Sequence, residues 1–402
     1  MAGTGADREQ LQAQFREACG RRDYRKAMDA CRALIEANPR DPAAWRDMGA
    51  IYTMLGQHED AYEVLSRALQ YDPKDARVHY NLGALSSHAG DHELAIPHYT
   101  KASELAPDSP DGYLGLAAAY YNLGDMANAV YYYSQAYNRA PHNAEVTRSF
   151  GAALLKLGQL TKARYYLEQA VEARPEWAEP YMELGEALRR LSEDKDAVKV
   201  LLTGLRLKQR PDGLVSLSRI HLKYGEPRRA LTHLENALKL DPQYAPAHHA
   251  LGLVHEAVRD WANAFKAFEQ AYRLDPDNLE YVMDYAGAML ESGGDVEKAY
   301  RYAAAVRVKD PNTVRAFEIM GRALSKMGRK QEAIEELEKA RTLLEMSETK
   351  DASLAPLFSH LADAYEAAED YMMTREMLAR AFALAPQRVD LEERRKKLEG
   401  KF

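Results

Sequence analysis

Three histidines in one short stretch, His248, His249 and His255, are the residues whose types and spacing come nearest to a metal site. A separation of seven residues places His248 and His255 on one face of a helix, where two imidazoles could bind one ion. The corresponding positions elsewhere in the chain carry large aromatic residues that belong to a repeated apolar pattern. Packed imidazoles are therefore the favoured interpretation, and we predict no metal ligand.

The sequence contains none of the short patterns that position a nucleophile, a phosphate-binding loop or a calcium ion. A GxxxxGK[ST] loop, a GxSxG turn, an HExxH pair and an EF-hand loop are all absent. We therefore predict no catalytic residue and no cofactor. An enzyme or a metal-binding protein stays as a remote alternative, which zinc retained after dialysis would support.

The stretch Pro42–Asp75 shows the element that must position any functional side chain in this protein. Its apolar residues, among them Trp45 and Tyr52, recur at spacings of three and four, which places them on one face of a helix. Gly56 ends this helix, and a second amphipathic helix follows until Pro73 stops it. Two short helices cannot bury their apolar faces alone, so the pair needs neighbours.

The chain supplies these neighbours by repeating the unit eleven times. The copies begin near Arg8, Pro42, Ala76, Pro110, Ala144, Ala178, Pro211, Ala245, Leu279, Val314 and Ala355. The pattern resembles the tetratricopeptide repeat (TPR), whose signature is W/Y-x2-L-G-x2-Y, then G, then A-x3-F/Y-x2-A, then P. This resemblance implies an all-α fold, a right-handed superhelical solenoid of helix-turn-helix repeats, in which the first helix of each repeat lines a concave groove.

We predict three segments: a disordered N-terminus over 1–7, the eleven repeats over 8–388 and a C-terminal capping helix over 389–402. Irregularities are expected near 205–211, 291–295 and 345–354, where one copy is short, one has an extra residue and one lacks its proline. A hinge or a change of curvature, and a local irregularity absorbed by a loop, are both open interpretations of these places.

Composition limits the classes of partner and the compartment. The net charge of -7 argues against nucleic acid and against an anionic membrane surface as the main partner. The two cysteines, Cys19 and Cys31, exclude a disulfide framework and form no CxxC motif. The first fourteen residues contain no apolar core of a secretory signal, and no stretch is apolar enough to span a bilayer. We therefore expect a cytoplasmic protein without membrane insertion.

The resemblance also implies which positions of each first helix point into the groove: the second, fifth, sixth, ninth, twelfth and thirteenth. Those positions predict a partner-binding surface made of Arg46, Ala50, Tyr80, Asn81, Ala84, Leu114, Ala118, Tyr121, Asn122, Arg148, Ala152, Lys156, Arg189, Arg190, Arg219 and Lys223. Alanine fills the ninth position of four consecutive copies, which leaves a smooth floor for a peptide or a helix.

Charge divides the second half of the chain into bands. Residues 201–250 carry eight basic and four acidic residues, and 251–300 carry four and ten. The basic side chains could steer a charged partner or pair internally across adjacent helices, and the sequence leaves both open.

The function that this pattern favours is a protein-interaction scaffold or adaptor that binds a peptide or helix of a protein partner in the concave groove. The alternative is a dedicated assembly or targeting factor of a larger complex, such as a secretion or pilus system. The sequence does not specify the partner, the pathway or the oligomeric state.

Overall fold

The structure, a computed structural model, describes residues 4–346 and 354–398, which form helices joined by short turns and contain no strand. Expectations for residues 1–3, 347–353 and 399–402 lie outside the described residues, and these include most of the irregularity predicted near 345–354. The helices fall into two compact units that divide between Lys208 and Gln209, within the irregularity predicted at 205–211.

The first unit contains twelve described helices, which pack in consecutive pairs. They are α1 (Thr4–Gly20), α2 (Tyr24–Ala37), α3 (Pro42–Met54), α4 (His58–Tyr71), α5 (Ala76–His88), α6 (His92–Leu105), α7 (Asp111–Asn122), α8 (Met126–Arg139), α9 (Ala144–Lys156), α10 (Leu160–Ala173), α11 (Ala178–Arg190) and α12 (Asp194–Leu207).

The second unit contains eleven described helices, of which the first ten again pack in pairs and the last packs on α22. They are α13 (Pro211–Lys223), α14 (Pro227–Leu240), α15 (Ala245–Ala257), α16 (Trp261–Leu274), α17 (Leu279–Glu291), α18 (Val296–Lys309), α19 (Val314–Lys326), α20 (Lys330–Met346), α21 (Leu354–Ala367), α22 (Tyr371–Leu384) and α23 (Val389–Leu398).

Local signals explain where the helices begin and end. The Asp41 carboxylate accepts a hydrogen bond from the backbone N–H of Ala43 at the start of α3, and Pro42 supplies the first helical residue. Gly56 follows the helix with a positive φ of 72°, a conformation that costs glycine little. Ser192 takes the same left-handed conformation after α11, with φ 63°, so the turn forms there without glycine.

Within each unit, the core runs between the two helices of each pair and on to the next pair. In the second pair, Ala61, Leu65 and Ala68 of α4 are fully buried and pack with apolar residues of α5. A Cβ atom added at Gly49 would lie 2.5 Å from Leu65 Cγ, so this glycine is what lets α3 and α4 approach. Burying a leucine side chain stabilises the fold by roughly 2 kcal/mol, and equivalent contacts recur along both units.

The N-terminal end of the described chain differs from the prediction. Helix α1 begins at Thr4, so residues 4–7, which were expected to be disordered, are helical. Gly5 lies in the first turn of this helix, where a glycine costs only about 1 kcal/mol relative to alanine, so it does not end the helix. None of the described helices combines the length and the apolar character that crossing a membrane requires.

Candidate functional site

Four of the predicted groove residues, Arg46, Ala50, Tyr80 and Asn81, lie together in one cavity of the first unit. The cavity has a volume of about 790 Å³, which falls within the range of ligand sites. Helices α3 and α5 supply these four residues, and the start of α7 closes the cavity with Asp111. The structure thus brings together residues that are 35 positions apart in sequence.

Arg46 lines this cavity, and hydrogen bonds hold its side chain in one position. Its guanidinium donates hydrogen bonds to Asp47 at 2.8 Å and to Asp75 at 3.0 Å, and its side chain is only 15% exposed. Asp75 also caps α5 by accepting from the backbone N–H of Arg77. Burial raises the pKa of Asp47, and the neighbouring Arg46 opposes that rise. Arg46 is therefore held in place by two carboxylates before any ligand arrives.

Tyr80 and Asn81 retain polar groups that a ligand can use. The Asn81 amide donates one long hydrogen bond, of 3.5 Å, to the Arg46 carbonyl oxygen, which leaves the amide oxygen for an incoming N–H. The Tyr80 ring lies 5.6 Å from that of Tyr99, and burial and the Asp111 charge raise the pKa of its phenol. At neutral pH the phenol therefore stays a hydrogen-bond donor.

The alanine floor extends from this cavity along the first unit. Ala50, Ala84, Ala118 and Ala152 lie on α3, α5, α7 and α9, and each is half-buried. A half-buried methyl group leaves room above it for another chain, because no longer side chain stands at that position. Consecutive first helices of the repeats carry the row, so it follows the direction in which the repeats stack.

Aromatic and basic groups border this floor on α7 and α9. The Lys156 ammonium lies 4.4 Å from the centroid of the Tyr121 ring, so these two predicted residues touch across the two helices. Leu114 is half-buried, and Asn122 is exposed at the end of α7. Tyr121 and Lys156 are accordingly neighbours beside the alanine floor.

Internal pairing holds most of the predicted basic residues of the first unit. Arg148 donates to Glu183 at 2.5 Å, and Arg189 donates to Glu186 at 2.6 Å. Arg190 donates to the Leu155 carbonyl oxygen at 2.8 Å. Each of these guanidinium groups therefore has an acceptor within the first unit, from the next or preceding helix pair for Arg148 and Arg190 and from its own helix for Arg189.

The two remaining predicted residues, Arg219 and Lys223, lie on α13 of the second unit. Lys223 is exposed and already interacts with another group of this chain. Arg219 is half-buried, and its Nε atom is buried without a hydrogen-bond partner among the described residues.

Sequence reasoning missed part of the cavity lining. Asp47, Asp75, Arg77 and Asp111 surround Arg46 and Tyr80, although none was chosen as a site residue. Asp47 and Arg77 occupy the sixth and second positions of their copies, so the position rule itself could have identified them. Asp75 belongs to the turn before α5, where that rule carries no information.

Of the three histidines, His249 alone contacts the buried carboxylate of Asp284 among the described residues. His249 is fully buried, and its Nε2 lies 2.5 Å from Asp284, which is 2% exposed. Arg315 pairs with the other oxygen of Asp284. His249, Glu280 and Asp284 have potential ligand atoms within 4.8 Å of one another, but both oxygens of Asp284 are already engaged, so an ion would have to displace one of these contacts.

Comparisons with known proteins fit this architecture. Family models described as tetratricopeptide repeats match residues 20–85, 110–143 and 149–212, and a TPR repeat model matches 89–124. The model of the TPR domain of cytochrome c-type biogenesis protein H matches residues 245–351.

The chain is a tetratricopeptide repeat protein.

This TPR chain matches a curated relative over part of its length. It is 28% identical over 131 residues to the type IV pilus assembly protein PilF of Pseudomonas aeruginosa, a match that covers 32% of this chain and 52% of PilF. The chain thus spans about half the length of this curated relative.

Solved structures show the same fold at low identity. The APC/C hetero-tetramer Cut9-Hcn1 aligns with a TM-score of 0.58 and 13% identity over 97% of this chain and 96% of that one. The human IFIT1 dimer with PPP-AAAA aligns with a TM-score of 0.56 and 18% identity over 86% and 91%. At such identities the likeness concerns the TPR fold alone.

Proposed function

We propose that this TPR protein is a non-catalytic adaptor whose first unit binds an extended peptide segment or a helix of a protein partner. The observation that carries the proposal is the cavity at Arg46, Tyr80 and Asn81, which continues into the alanine floor. The cavity offers an amide and a phenol for a ligand's backbone, and the floor offers apolar contact without steric obstruction. Arg46 is fixed in advance, so binding orders few side chains.

The substitution Ala84→Arg tests this proposal directly. A long charged side chain at the middle of the floor is expected to block the partner sterically, with helicity and melting temperature unchanged because the position is only half-buried. Tagged wild-type and variant chains would be compared by affinity purification from native lysate with mass spectrometry.

The matched control is Ala127→Arg, which adds the same side chain at an exposed position of α8. A partner retained by Ala127→Arg and lost with Ala84→Arg supports the site. A partner that Ala84→Arg still retains would contradict it, and Arg190 and Arg219 would then be substituted next.

A second candidate function is a dedicated assembly factor of a pilus-type complex. The similarity to the type IV pilus assembly protein PilF favours it, although the match covers only part of each chain. Quantitative pulldown separates the two candidates. One stoichiometric partner supports the assembly factor, whereas several partners at varied ratios support the adaptor.

A further inference from the structure

In several copies, the fourth residue of the first helix donates a hydrogen bond to the carbonyl oxygen of a proline six residues earlier. The donor belongs to an aromatic ring in each case. The pairs are Trp45 with Pro39 at 2.9 Å, Tyr181 with Pro175 at 3.1 Å and His248 with Pro242 at 2.9 Å. These three copies therefore fill the same place with a flat ring that carries a donor at its edge.

Thr147 is the fourth residue of α9, and its short side chain cannot fill that place. It is 2% exposed, and its hydroxyl donates to the Asn143 carbonyl oxygen at 3.0 Å. Its contact with the Pro141 carbonyl oxygen is long, at 3.4 Å. Because a carbonyl oxygen has two lone pairs, Pro141 keeps the capacity to accept a stronger hydrogen bond.

A cavity of about 530 Å³ lies beside Thr147 and Pro141, and this volume falls within the range of ligand sites. Helices α8 and α10 and the turn after α8 supply its other lining residues, which are Tyr137, His142, Gln169, Glu172 and Ala173. The space thus opens next to the proline whose counterparts in other copies accept from an aromatic ring.

A second cavity, of about 540 Å³, lies at the same place in the copy that begins at Val314, and Pro311 and Phe317 are among its lining residues. Phe317 is the fourth residue of α19, and a phenyl ring has no hydrogen-bond donor. Both cavities thus occur where the fourth side chain gives the proline no strong donor. Of the two copies, the one at Thr147 also lacks the ring.

One wall of the Thr147 cavity is aromatic and held in position. The Tyr137 hydroxyl donates to Gln169 Oε1 at 3.1 Å, which joins α8 to α10. The Tyr137 ring lies 5.9 Å from that of Phe150 and 5.0 Å from that of Tyr166, which it meets edge to face. An entering ring would therefore meet a wall that is already ordered, so binding costs little side-chain entropy.

We propose that this cavity binds a tryptophan side chain of a protein partner. The indole packs against the Tyr137 ring, and its N–H donates to the Pro141 carbonyl oxygen, as the indole of Trp45 does to Pro39 within this chain. An indole N–H is a donor only, so it matches a carbonyl oxygen without leaving a second polar group to satisfy. A buried tryptophan is also a side chain that commonly dominates the energy of an interface.

The tryptophan cavity is separate from the alanine floor, so this inference goes beyond the proposed function. Thr147 precedes Ala152 by five residues, and five residues turn a helix by about 140° beyond a full turn. The two residues therefore lie on different faces of α9. A partner that binds along the floor and a tryptophan that enters the cavity make independent contacts, and the two can fail separately.

The experiment measures binding of small probes to the full chain by saturation-transfer NMR. The probes are N-acetyltryptophanamide, its 3-benzothienylalanine analogue, in which sulfur replaces the indole N–H, and N-acetylleucinamide. We expect the tryptophan probe to bind at least about threefold tighter than the benzothienyl analogue, because only the former can donate to Pro141. The leucine probe is expected to bind most weakly.

Two substitutions of Thr147 assign the binding to the cavity. Thr147→Trp supplies the ring from the chain itself, as Trp45 does, and is expected to abolish binding of the tryptophan probe without lowering the melting temperature. Thr147→Val is the size-matched control: it leaves the cavity open and is expected to retain binding. A folded Thr147→Trp chain that still binds the probe would contradict the proposal.

A second pair of variants keeps the test decisive if Thr147→Trp fails to fold. Ala173→Arg adds a long side chain at an exposed lining position of α10 and is expected to weaken the tryptophan probe at least about threefold. Ala127→Arg adds the same side chain at an exposed position of α8 that does not line the cavity, and Ala84→Arg does so on the alanine floor. Both are expected to leave probe binding unchanged.

Three further results would overturn the proposal: no detectable binding of the tryptophan probe, equal binding of the tryptophan and benzothienyl probes, or leucine binding as tight as tryptophan binding. An equal loss with Ala173→Arg and Ala127→Arg would overturn it as well. Unchanged probe binding by Ala84→Arg, together with loss of the partner from lysate, would show that the cavity and the floor act separately.

Discussion

Asp284 shows how one residue at a groove position becomes part of the protein's interior. It occupies the sixth position of its copy, where the TPR pattern would direct it into the groove, yet it is 2% exposed. His249 and Arg315, from the helices on either side, engage its two oxygens and cover it. A buried carboxylate is tolerated only with such partners.

The substitution Asp284→Ala is expected to lower the free energy of unfolding of the second unit by about 3 kcal/mol, because it leaves the buried His249 and the partner Arg315 without their acceptor. Urea denaturation followed by circular dichroism measures this change. The control is Glu280→Ala on the same helix, expected to cost less than about 0.5 kcal/mol because Glu280 is exposed. Equal losses for both variants would contradict this account of the network and would favour a shared metal site.

For single residues, the sequence predicts where a side chain lies in its repeat better than it predicts which other side chain it contacts. The position rule selected Arg46, Arg148 and Arg189, and all three lie on first helices of their pairs. It could not show that Glu183 holds Arg148, because that contact joins residues 35 positions apart and depends on how two helices pack.

At the scale of the helix, neighbouring helices approach one another closely at a few glycine residues. Tyr99 of α6 is 5% exposed, and its ring fills the space beside Gly83 of α5 and Gly115 of α7. A Cβ atom at Gly115 would lie 2.2 Å from Tyr99 Cδ1, which is far inside contact distance. The ring cannot move away easily, because the interior around it is closely packed.

We therefore expect Gly115→Ala to destabilise the first unit by about 2 kcal/mol through overpacking against Tyr99. Thermal and urea unfolding measure the effect. Gly287→Ala on α17 is the matched control, since an added Cβ would meet nothing closer than 3.9 Å, and alanine is expected to stabilise the helix by up to about 1 kcal/mol there. Stabilisation by both substitutions would show that the contact with Tyr99 is not limiting.

Helix pairs were the most predictable feature of this protein. Proline, glycine and alanine recur at fixed offsets, and each has a backbone or packing reason to stand there. The stretch Pro42–Asp75 accordingly forms α3 and α4, as its pattern predicted. The start of α1 at Thr4 was not predicted, because fraying at a terminus depends on small differences in helix propensity.

At the scale of the molecule, repetition explains both the fold and the spread of candidate sites. Each pair packs mainly on its neighbours, so the inner surface can change chemistry from copy to copy without disturbing the architecture. The first unit carries the alanine floor and paired arginines, and the second carries Arg219 and the network around Asp284. The repeat pattern predicted which positions belong to this surface. It could not predict the binding partner or which charged side chains pair, because neither depends on the repeated residues.

We propose the alanine floor of the first unit as the place where a protein partner binds. Photo-crosslinking of the partner retained by the wild-type chain tests it most directly, with p-benzoylphenylalanine introduced at Tyr121, which borders the floor, or at Tyr131, which is 56% exposed on α8. Both changes replace one aromatic residue by another, so they differ in place rather than in chemistry. We predict a crosslinked product from position 121 and none from position 131, whereas crosslinking from position 131 alone would contradict the proposed site.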